Sequence, residues 1–165
     1  FRVDNGELER MVKSGTMKKY LSARRKVLKI PFNSIDINSA DTSQLMQFSG
    51  IGSVLSRRIV AFRDALGGFY SLDQLYEVYG LSPSTVNAVT KYLRVDTSLI
   101  RRIDVNRSSI RKFKSHPYIR FYLGRDIVEK RLSEGQYTDI RQLYTLSRMT
   151  DSIYNKVSNY LVVNP

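Results

Sequence analysis

The sequence predicts an all-α protein built from two similar units of short helices. Three observations predict this fold class: an internal repeat, apolar residues that recur at spacings of three and four, and capping residues before the expected helices. Strands would show an alternation of apolar and polar residues instead. We therefore expect bundles of four or five short helices per unit, joined by tight turns.

The repeat is clearest where Ile35-Asp36-Ile37-Asn38 returns as Ile103-Asp104-Val105-Asn106, an offset of 68 residues. At this offset about 19 of 61 aligned positions are identical. The chain then divides into a basic N-terminal helical segment at 1–34, a first unit at 35–95, a linker at 96–102 and a second unit at 103–163.

Capping residues mark the first and third helices of the first unit. Asp41 with Gln44, and Ser71 with Gln74, have the spacing of capping boxes, in which two side chains satisfy the free backbone amides of a helix start. Between them an apolar stripe predicts the second helix, formed by Leu55, Ile59, Phe62 and Leu66.

A fourth helix is predicted from Ser82 and Pro83, because serine is a good N-cap and proline is favoured at the first helical position. We expect this helix to end near Tyr92. In the second unit, Ser109 and Asp139 repeat the cap positions, so the same succession of helices is expected there.

Two glycine turns separate these helices, Gly50-Ile51-Gly52-Ser53 and Gly80-Leu81-Ser82. Glycine permits a positive φ and a close approach of the backbone to a ligand. The helix after such a turn directs free amides and its positive dipole end outward. We therefore expect both turns to bind anions, with Ile51 and Leu81 inserted between the helices.

These features resemble the helix-hairpin-helix proteins, and within them the ComEA-type competence DNA receptors. The resemblance is strong over 35–95 and weak, in the same register, over 103–163. It rests on these stretches: Ile37 to Leu45, Gly50-Ile51-Gly52, Ile59 to Arg63, Gly67-Gly68-Phe69, Leu72 to Leu75 and Tyr79-Gly80-Leu81. It implies tandem modules of paired helix-hairpin-helix motifs in a SAM-domain-like bundle. It also implies binding of double-stranded DNA through phosphates, without sequence specificity, and a role in DNA uptake.

The second unit lacks the hairpin glycines, since Tyr118, Arg120 and Arg148 stand at their aligned positions. Arginine side chains can bind phosphates at longer reach than a backbone amide. The alternative is a unit kept only for packing.

Positive charge is unevenly distributed along the chain, which has 27 Lys and Arg against 15 Asp and Glu, a net charge of +12. Residues 1–34 hold nine basic and three acidic side chains, residues 35–95 hold five of each, and residues 96–165 hold thirteen and seven. A basic surplus attracts polyanions. If DNA binds, we expect the hairpins to position the protein on the DNA, while the basic regions on either side of them supply much of the salt-sensitive affinity.

The candidate phosphate-binding residues comprise both glycine turns and nearby or second-unit basic side chains: Gly50, Ile51, Gly52, Ser53, Gly80, Leu81, Ser82, Arg57, Lys112, Lys114, Arg120 and Arg125.

Catalysis is not expected. The chain has no cysteine, which excludes disulfides and thiolate chemistry, and its single histidine, His116, has no second histidine for a zinc site. No glycine-proline pair with a catalytic Asp, as in base-excision glycosylases, follows the hairpin, and the carboxylates do not cluster as a two-metal nuclease requires. We expect no catalytic residue, no metal and no cofactor.

Double-stranded DNA is the expected partner, with protein partners as a further expectation. The alternative function is a protein-interaction scaffold, or an accessory domain of a DNA repair or recombination machine without catalysis of its own. Because the chain opens with Phe1, we expect an upstream segment, and membrane contact only through such a segment. If the ComEA-type resemblance extends to the role of the protein, it implies an extracytoplasmic or membrane-anchored location. If it does not, the expected location is cytoplasmic.

Overall fold

The computed structural model describes residue 31 and residues 33–164. Of the predicted N-terminal helical segment, all but residues 31, 33 and 34 lie outside the described residues. The first unit contains, in order, β1 (Ile35–Asp36), α1 (Thr42–Leu45), α2 (Ser53–Leu66), the 3₁₀ helix η1 (Leu72–Glu77), α3 (Pro83–Thr90) and β2 (Leu93–Arg94).

A short 3₁₀ helix, η2 (Thr97–Leu99), lies in the linker. The second unit repeats the order of the first, with one additional 3₁₀ helix near its end. Its elements are β3 (Ile103–Asp104), α4 (Ile110–Lys114), α5 (Arg120–Glu134), η3 (Ile140–Thr145), α6 (Asp151–Val157), η4 (Ser158–Tyr160) and β4 (Leu161–Val162).

The capping residues predicted from the sequence are confirmed. The Asp41 and Ser71 side chains form complete capping boxes at α1 and η1, and Asp139 forms one at η3. Ser82 and Ser109 accept hydrogen bonds from the amides three residues on, at the starts of α3 and α4. Because these five side chains bind amides within three residues of themselves, the starts of these helices could be predicted from local sequence.

The strands were not predicted. In the first unit β1 pairs in parallel with β2, Ile35 opposite Leu93, and in the second unit β3 pairs with β4, Ile103 opposite Leu161. A strand of two residues is too short to show an alternating pattern. Each pair joins the beginning of a unit to its end.

One asparagine in each unit holds three chain segments together. The Asn38 side chain donates to the carbonyls of Phe69 (2.9 Å) and Asp96 (3.0 Å) and accepts from the Phe69 amide (2.6 Å). Asn106 makes the same three bonds at the aligned positions, to Tyr137 and Asn164. The scaffold of the first unit therefore recurs in the second, bond for bond at this point.

The two units are joined by hydrogen bonds centred on Gln74. Its Nε2 donates to the hydroxyls of Tyr118 (2.9 Å) and Tyr160 (2.8 Å). Nearby, Lys156 forms an ion pair with Glu77 at 3.1 Å and lies over the Tyr118 ring. Burial raises the pKa of Tyr118 well above its usual range, so the phenol remains a neutral donor and acceptor. We call this group the inter-unit contact.

His116 is a core residue of the second unit. It is 1% exposed and stands at the position aligned with Phe48, which is also buried. Phe48 stacks on Tyr92 at 6.0 Å in the first unit, and His116 packs on Tyr160 at 4.9 Å in the second. Its Nδ1 accepts from the Tyr118 amide at 3.3 Å.

Burial lowers the pKa of His116 to about 4, opposed by the Leu66 carbonyl and assisted by the charge of Lys112. A folded-state pKa below the unfolded value of about 6.5 gives stability that is fully present above pH ~6.5 and is lost as the pH falls through about 4. We expect His116 to account for a loss of about 3 kcal/mol in the free energy of unfolding over this window, measured by urea unfolding. His116→Phe should remove that part of the pH dependence, and an unchanged slope in this variant would contradict the assignment.

Candidate nucleic-acid interface

The first hairpin, Gly50 to Ser53, joins α1 to α2. Gly50 has φ +89°, in the left-handed region, and therefore needs to be glycine for the turn. Ile51 is buried between the helices at 4% exposed, as predicted, and its amide donates to the Phe48 carbonyl. The turn is thus rigid, and its outer side consists of backbone.

The start of α2 has free amides and no side-chain cap. The first intrahelical bond runs from the Ser56 amide to the Gly52 carbonyl, at 2.9 Å. The amides of Ser53, Val54 and Leu55 precede it and have no carbonyl within the helix. Gly52 is the N-cap and has no side-chain acceptor to offer them. The first turn of α2 also contains no acidic residue, so an anion would meet only the positive end of the helix dipole.

Gly52 is not required by the fold. Its φ of −93° is accessible to every residue, and a methyl group placed on it would have no atom within 4 Å. Neither the backbone nor packing explains a glycine at this position. Its absent side chain leaves the amides of α2 open to a ligand from outside.

The second hairpin, Gly80 to Ser82, is less suited to bind an anion. Gly80 has φ +82° and Leu81 is buried, as in the first hairpin. However, the Ser82 hydroxyl caps α3 by accepting from the Thr85 amide at 3.2 Å. Pro83 has no amide hydrogen. Of the first three residues of α3, only Ser84 retains an amide for a ligand.

The two hairpins of the first unit lie side by side. A methyl group at Gly50 would lie 3.2 Å from the Thr85 side chain, at the start of α3. Arg58, on α2, reaches the second hairpin and donates to the Tyr79 carbonyl at 3.1 Å. Arg57 is exposed one turn beyond Ser53. The structure therefore brings six of the candidates to one surface, which we call the hairpin surface: Gly50, Gly52, Ser53, Arg57, Gly80 and Ser82. The candidates Ile51 and Leu81 lie beneath it and do not face a phosphate, because their side chains are buried and their amides donate to the carbonyls of Phe48 and Val78.

In the second unit the first hairpin has a different geometry and a different use. Tyr118, aligned with Gly50, is taken up by the inter-unit contact with Gln74. The positive φ falls instead on Arg120, at +57°. The Arg120 amide donates to the His116 carbonyl at 3.1 Å and is not available to a phosphate. The glycine turn of the first hairpin is therefore not repeated here, although α5, like α2, begins without a side-chain cap. We call the glycine turn together with the uncapped amides of α2 the cradle.

The basic candidates of the second unit differ in how far acidic residues neutralise them. Arg125 lies 3.3 Å from Asp126 and 3.6 Å from Glu129. Lys112 and Lys114 are exposed, and no ion pair joins either of them to an acidic residue in the described part of the chain. These residues lie on the second unit, apart from the hairpin surface of the first.

Arg58 and Tyr79 also lie at the hairpin surface and are not among the residues predicted from the sequence. The Arg58 guanidinium lies over the Tyr79 ring, 4.8 Å from its centroid, and Tyr79 is 82% exposed. The adjacent pair Arg57-Arg58 could have indicated this contact, because successive residues of a helix point about 100° apart. One arginine then faces solvent and the other faces the adjacent hairpin.

No group of three or more acidic or histidine residues that could hold a metal ion occurs among the described residues. Within the same part of the chain, every helix is too short or too polar to cross a membrane.

Residues 31–94 match the sequence model of the helix-hairpin-helix motif family. The match spans the first unit, including the hairpin surface, and ends before the second. The first unit thus carries a helix-hairpin-helix motif, which indicates nucleic acid as the class of partner.

Curated relatives match different portions of the chain. A protein of Danio rerio, endonuclease/exonuclease/phosphatase family domain-containing protein 1, is 22% identical over 141 residues, covering 74% of this chain and 26% of the relative. Uncharacterized proteins of Neisseria meningitidis serogroups A and B are each 34% identical over 62 residues, covering 38% of this chain and 8% of the relative. The chain therefore spans about a quarter of the length of the Danio rerio relative and less than a tenth of the length of each Neisseria meningitidis relative. No solved structure matches it.

The two glycines of the first hairpin should respond differently to alanine. Gly50→Ala forces a side chain into the left-handed region and against Thr85, and should lower the unfolding free energy by about 1–2 kcal/mol. Gly52→Ala should cost only about 0.5 kcal/mol, because alanine is a poorer N-cap than glycine. Thermal unfolding of the two variants measures the difference, and equal losses would show that Gly52 is also structurally required.

Proposed function

We propose that this protein binds double-stranded DNA without sequence specificity, through backbone amides that capture phosphates at the hairpin surface of the first unit. The amides of Ser53, Val54 and Leu55 form the principal contact. The exposed backbone of Gly80 and Ser82, with the amide of Ser84, forms a second, weaker one, and Arg57 contacts a neighbouring phosphate.

One observation carries the proposal: the uncapped start of α2 at Gly52, within a stretch that matches the helix-hairpin-helix motif. Most helices in the described part of the chain have an N-cap side chain that satisfies the free amides. At α2 a glycine is present that neither φ nor packing requires. A phosphate bound at this site would accept the hydrogen bonds that a cap makes elsewhere.

Phosphates are common to every duplex sequence, so such contacts fix orientation and carry no sequence information. The first unit contains equal numbers of acidic and basic side chains, and the surplus lies on either side of it. We expect affinities of about 10⁻⁴ to 10⁻⁶ M at physiological salt, with a steep salt dependence.

We propose that the second unit is a degenerate helix-hairpin-helix module in tandem with the first. Its recurring asparagine bonds and element order support a common scaffold. Without the cradle, it contributes charge through side chains, chiefly Lys112 and Lys114, with Arg120 and Arg125 as further donors. We propose no catalytic role for any of these residues.

Two biological settings fit this activity. The ComEA-type resemblance of residues 35–95 favours DNA uptake. The match to the Danio rerio relative favours the alternative of an accessory domain, because that protein's name gives it an endonuclease/exonuclease/phosphatase family domain and this chain covers 26% of its length. In both settings the proposed contact with DNA is the same.

Gly52→Asp should separate DNA binding from stability. An aspartate at the N-cap accepts from the free amides and favours the helix dipole, which should raise the unfolding free energy by about 0.5–1 kcal/mol. The same carboxylate occupies the phosphate position and repels phosphates. We expect the affinity for a blunt duplex, measured by fluorescence anisotropy at low salt, to fall at least about tenfold.

Ser109→Asp is the matched control, because it adds the same charge at the N-cap of α4, where the aligned residue in the first unit is Asp41. It should weaken duplex binding less than Gly52→Asp does. Equal losses of duplex affinity in the two variants would show that the effect comes from net charge alone, and would contradict phosphate binding at the start of α2. If Gly52→Asp leaves duplex binding unchanged, the hairpins are structural and the scaffold alternative replaces this proposal.

A further inference from the structure

An exposed aromatic pair occupies the start of α5 in the second unit. Phe121 is 42% exposed and Tyr122 is 61% exposed, and the two rings meet edge to face with centroids 5.4 Å apart. Their aligned residues in the first unit are Ser53 and Val54, which open α2 in the proposed cradle. At the two positions that open α2 in the first unit, the second unit therefore presents two exposed aromatic rings.

Arginines surround the Tyr122 ring. The guanidinium carbons of Arg125 and Arg148 lie 5.7 Å and 5.6 Å from its centroid. Asp126 is 3.3 Å from Arg125 and 2.6 Å from Arg148, so one carboxylate holds both guanidinium groups beside the ring. Arg148 comes from the second hairpin and Tyr122 from α5, so two separate segments build this patch.

We propose that Phe121 and Tyr122, with Arg125 and Arg148, form a stacking platform for unpaired nucleobases of single-stranded nucleic acid. An aromatic ring stacks on any base, since every base has a π-face, and arginines beside it neutralise the phosphates that connect the bases. The tyrosine, the phenylalanine and the two guanidinium groups supply both parts of this chemistry.

A polyanion is the ligand that the charge of this surface favours. Arg120 adds a third exposed guanidinium next to Phe121, against Asp126 and Glu129 as the acidic residues. Asp126 is only 13% exposed and faces the arginines rather than the solvent. The three guanidinium groups exceed the two carboxylates by one positive charge, which a nucleic-acid phosphate would neutralise and an apolar protein partner would leave without a counter-charge in the interface.

This inference deepens the proposed function and rests on it for the choice of nucleic acid as ligand. The two surfaces then bind different parts of one substrate class. The hairpin surface of the first unit binds duplex phosphates, and the platform binds unpaired bases. A duplex with a single-stranded extension should bind more tightly than a blunt duplex with the same number of phosphates.

Tyr122→Trp provides a direct measurement, because the chain has no tryptophan of its own. Stacking of a thymine base on the indole quenches its fluorescence. We expect titration with oligo(dT) to quench the Tyr122→Trp protein with saturation. The matched control is Tyr144→Trp, since Tyr144 is 44% exposed on η3 and stacks on Tyr154. It should be quenched much less.

Tyr122→Leu keeps apolar area but removes the π-face, and it should weaken oligo(dT) binding about tenfold while changing blunt-duplex affinity less than about twofold. Tyr144→Leu should change neither. The platform is overturned if oligo(dT) does not bind, if both tryptophans are quenched equally, or if Tyr122→Leu binds as the parent does. Blunt-duplex binding that persists and remains sensitive to Gly52→Asp would then leave the proposed function standing. Conversely, selective quenching of Tyr122→Trp by oligo(dT) without any duplex binding would support the platform and overturn the proposed function.

Discussion

The fold of each unit depends on one asparagine side chain that bridges distant segments. Helices of four to eight residues are not stable alone, so tertiary contacts must hold them in place. Asn38 binds the Phe69 backbone on both its donor and acceptor sides and the Asp96 carbonyl as well. Arg63, on α2, donates to the carbonyls of Ile37 and Ala40. The carboxyl-terminal half of α2 is therefore tied to the start of the unit, while its amino-terminal end stays open.

The second unit keeps this scaffold and changes the surface. Asn106 and Arg131 repeat the hydrogen bonds of Asn38 and Arg63 at the aligned positions. The second long helix, α5, is therefore attached to the start of its unit in the same way as α2. At the hairpin, Tyr118 replaces the left-handed glycine and packs against the first unit through Gln74. A residue in contact with the other unit cannot also face a phosphate. At the position aligned with Gly50, the second unit therefore has a residue that joins the two units.

Helix starts could be predicted from the sequence because they depend on local chemistry. Asp41, Ser71 and Ser82 bind amides within three residues of themselves, and a pattern of that length is visible in the chain. The inter-unit contact could not be predicted, because Gln74 and Tyr118 are 44 residues apart and no periodicity connects them. The burial of His116 could have been inferred from its alignment with Phe48, but an ionisable side chain gives no sign of a core position by itself.

The candidate site could be predicted in part. The sequence identified both glycine hairpins and the Ser82 cap of α3, and only the structure shows that no side chain caps α2. The basic candidates were chosen by charge alone, and the structure separates Arg125, which is paired with acidic residues, from the exposed Lys112 and Lys114. The segment boundaries at 35–95, 96–102 and 103–163 remain predictions.

The open amides of α2 are the proposed phosphate contacts, and amide chemical shifts report on these groups directly. In a titration of isotope-labelled protein with a blunt duplex at low salt, we predict the largest amide shifts at Ser53, Val54 and Leu55, with smaller ones at Ser84. Shifts confined to the second unit, with the α2 start unperturbed while the duplex binds, would contradict the account.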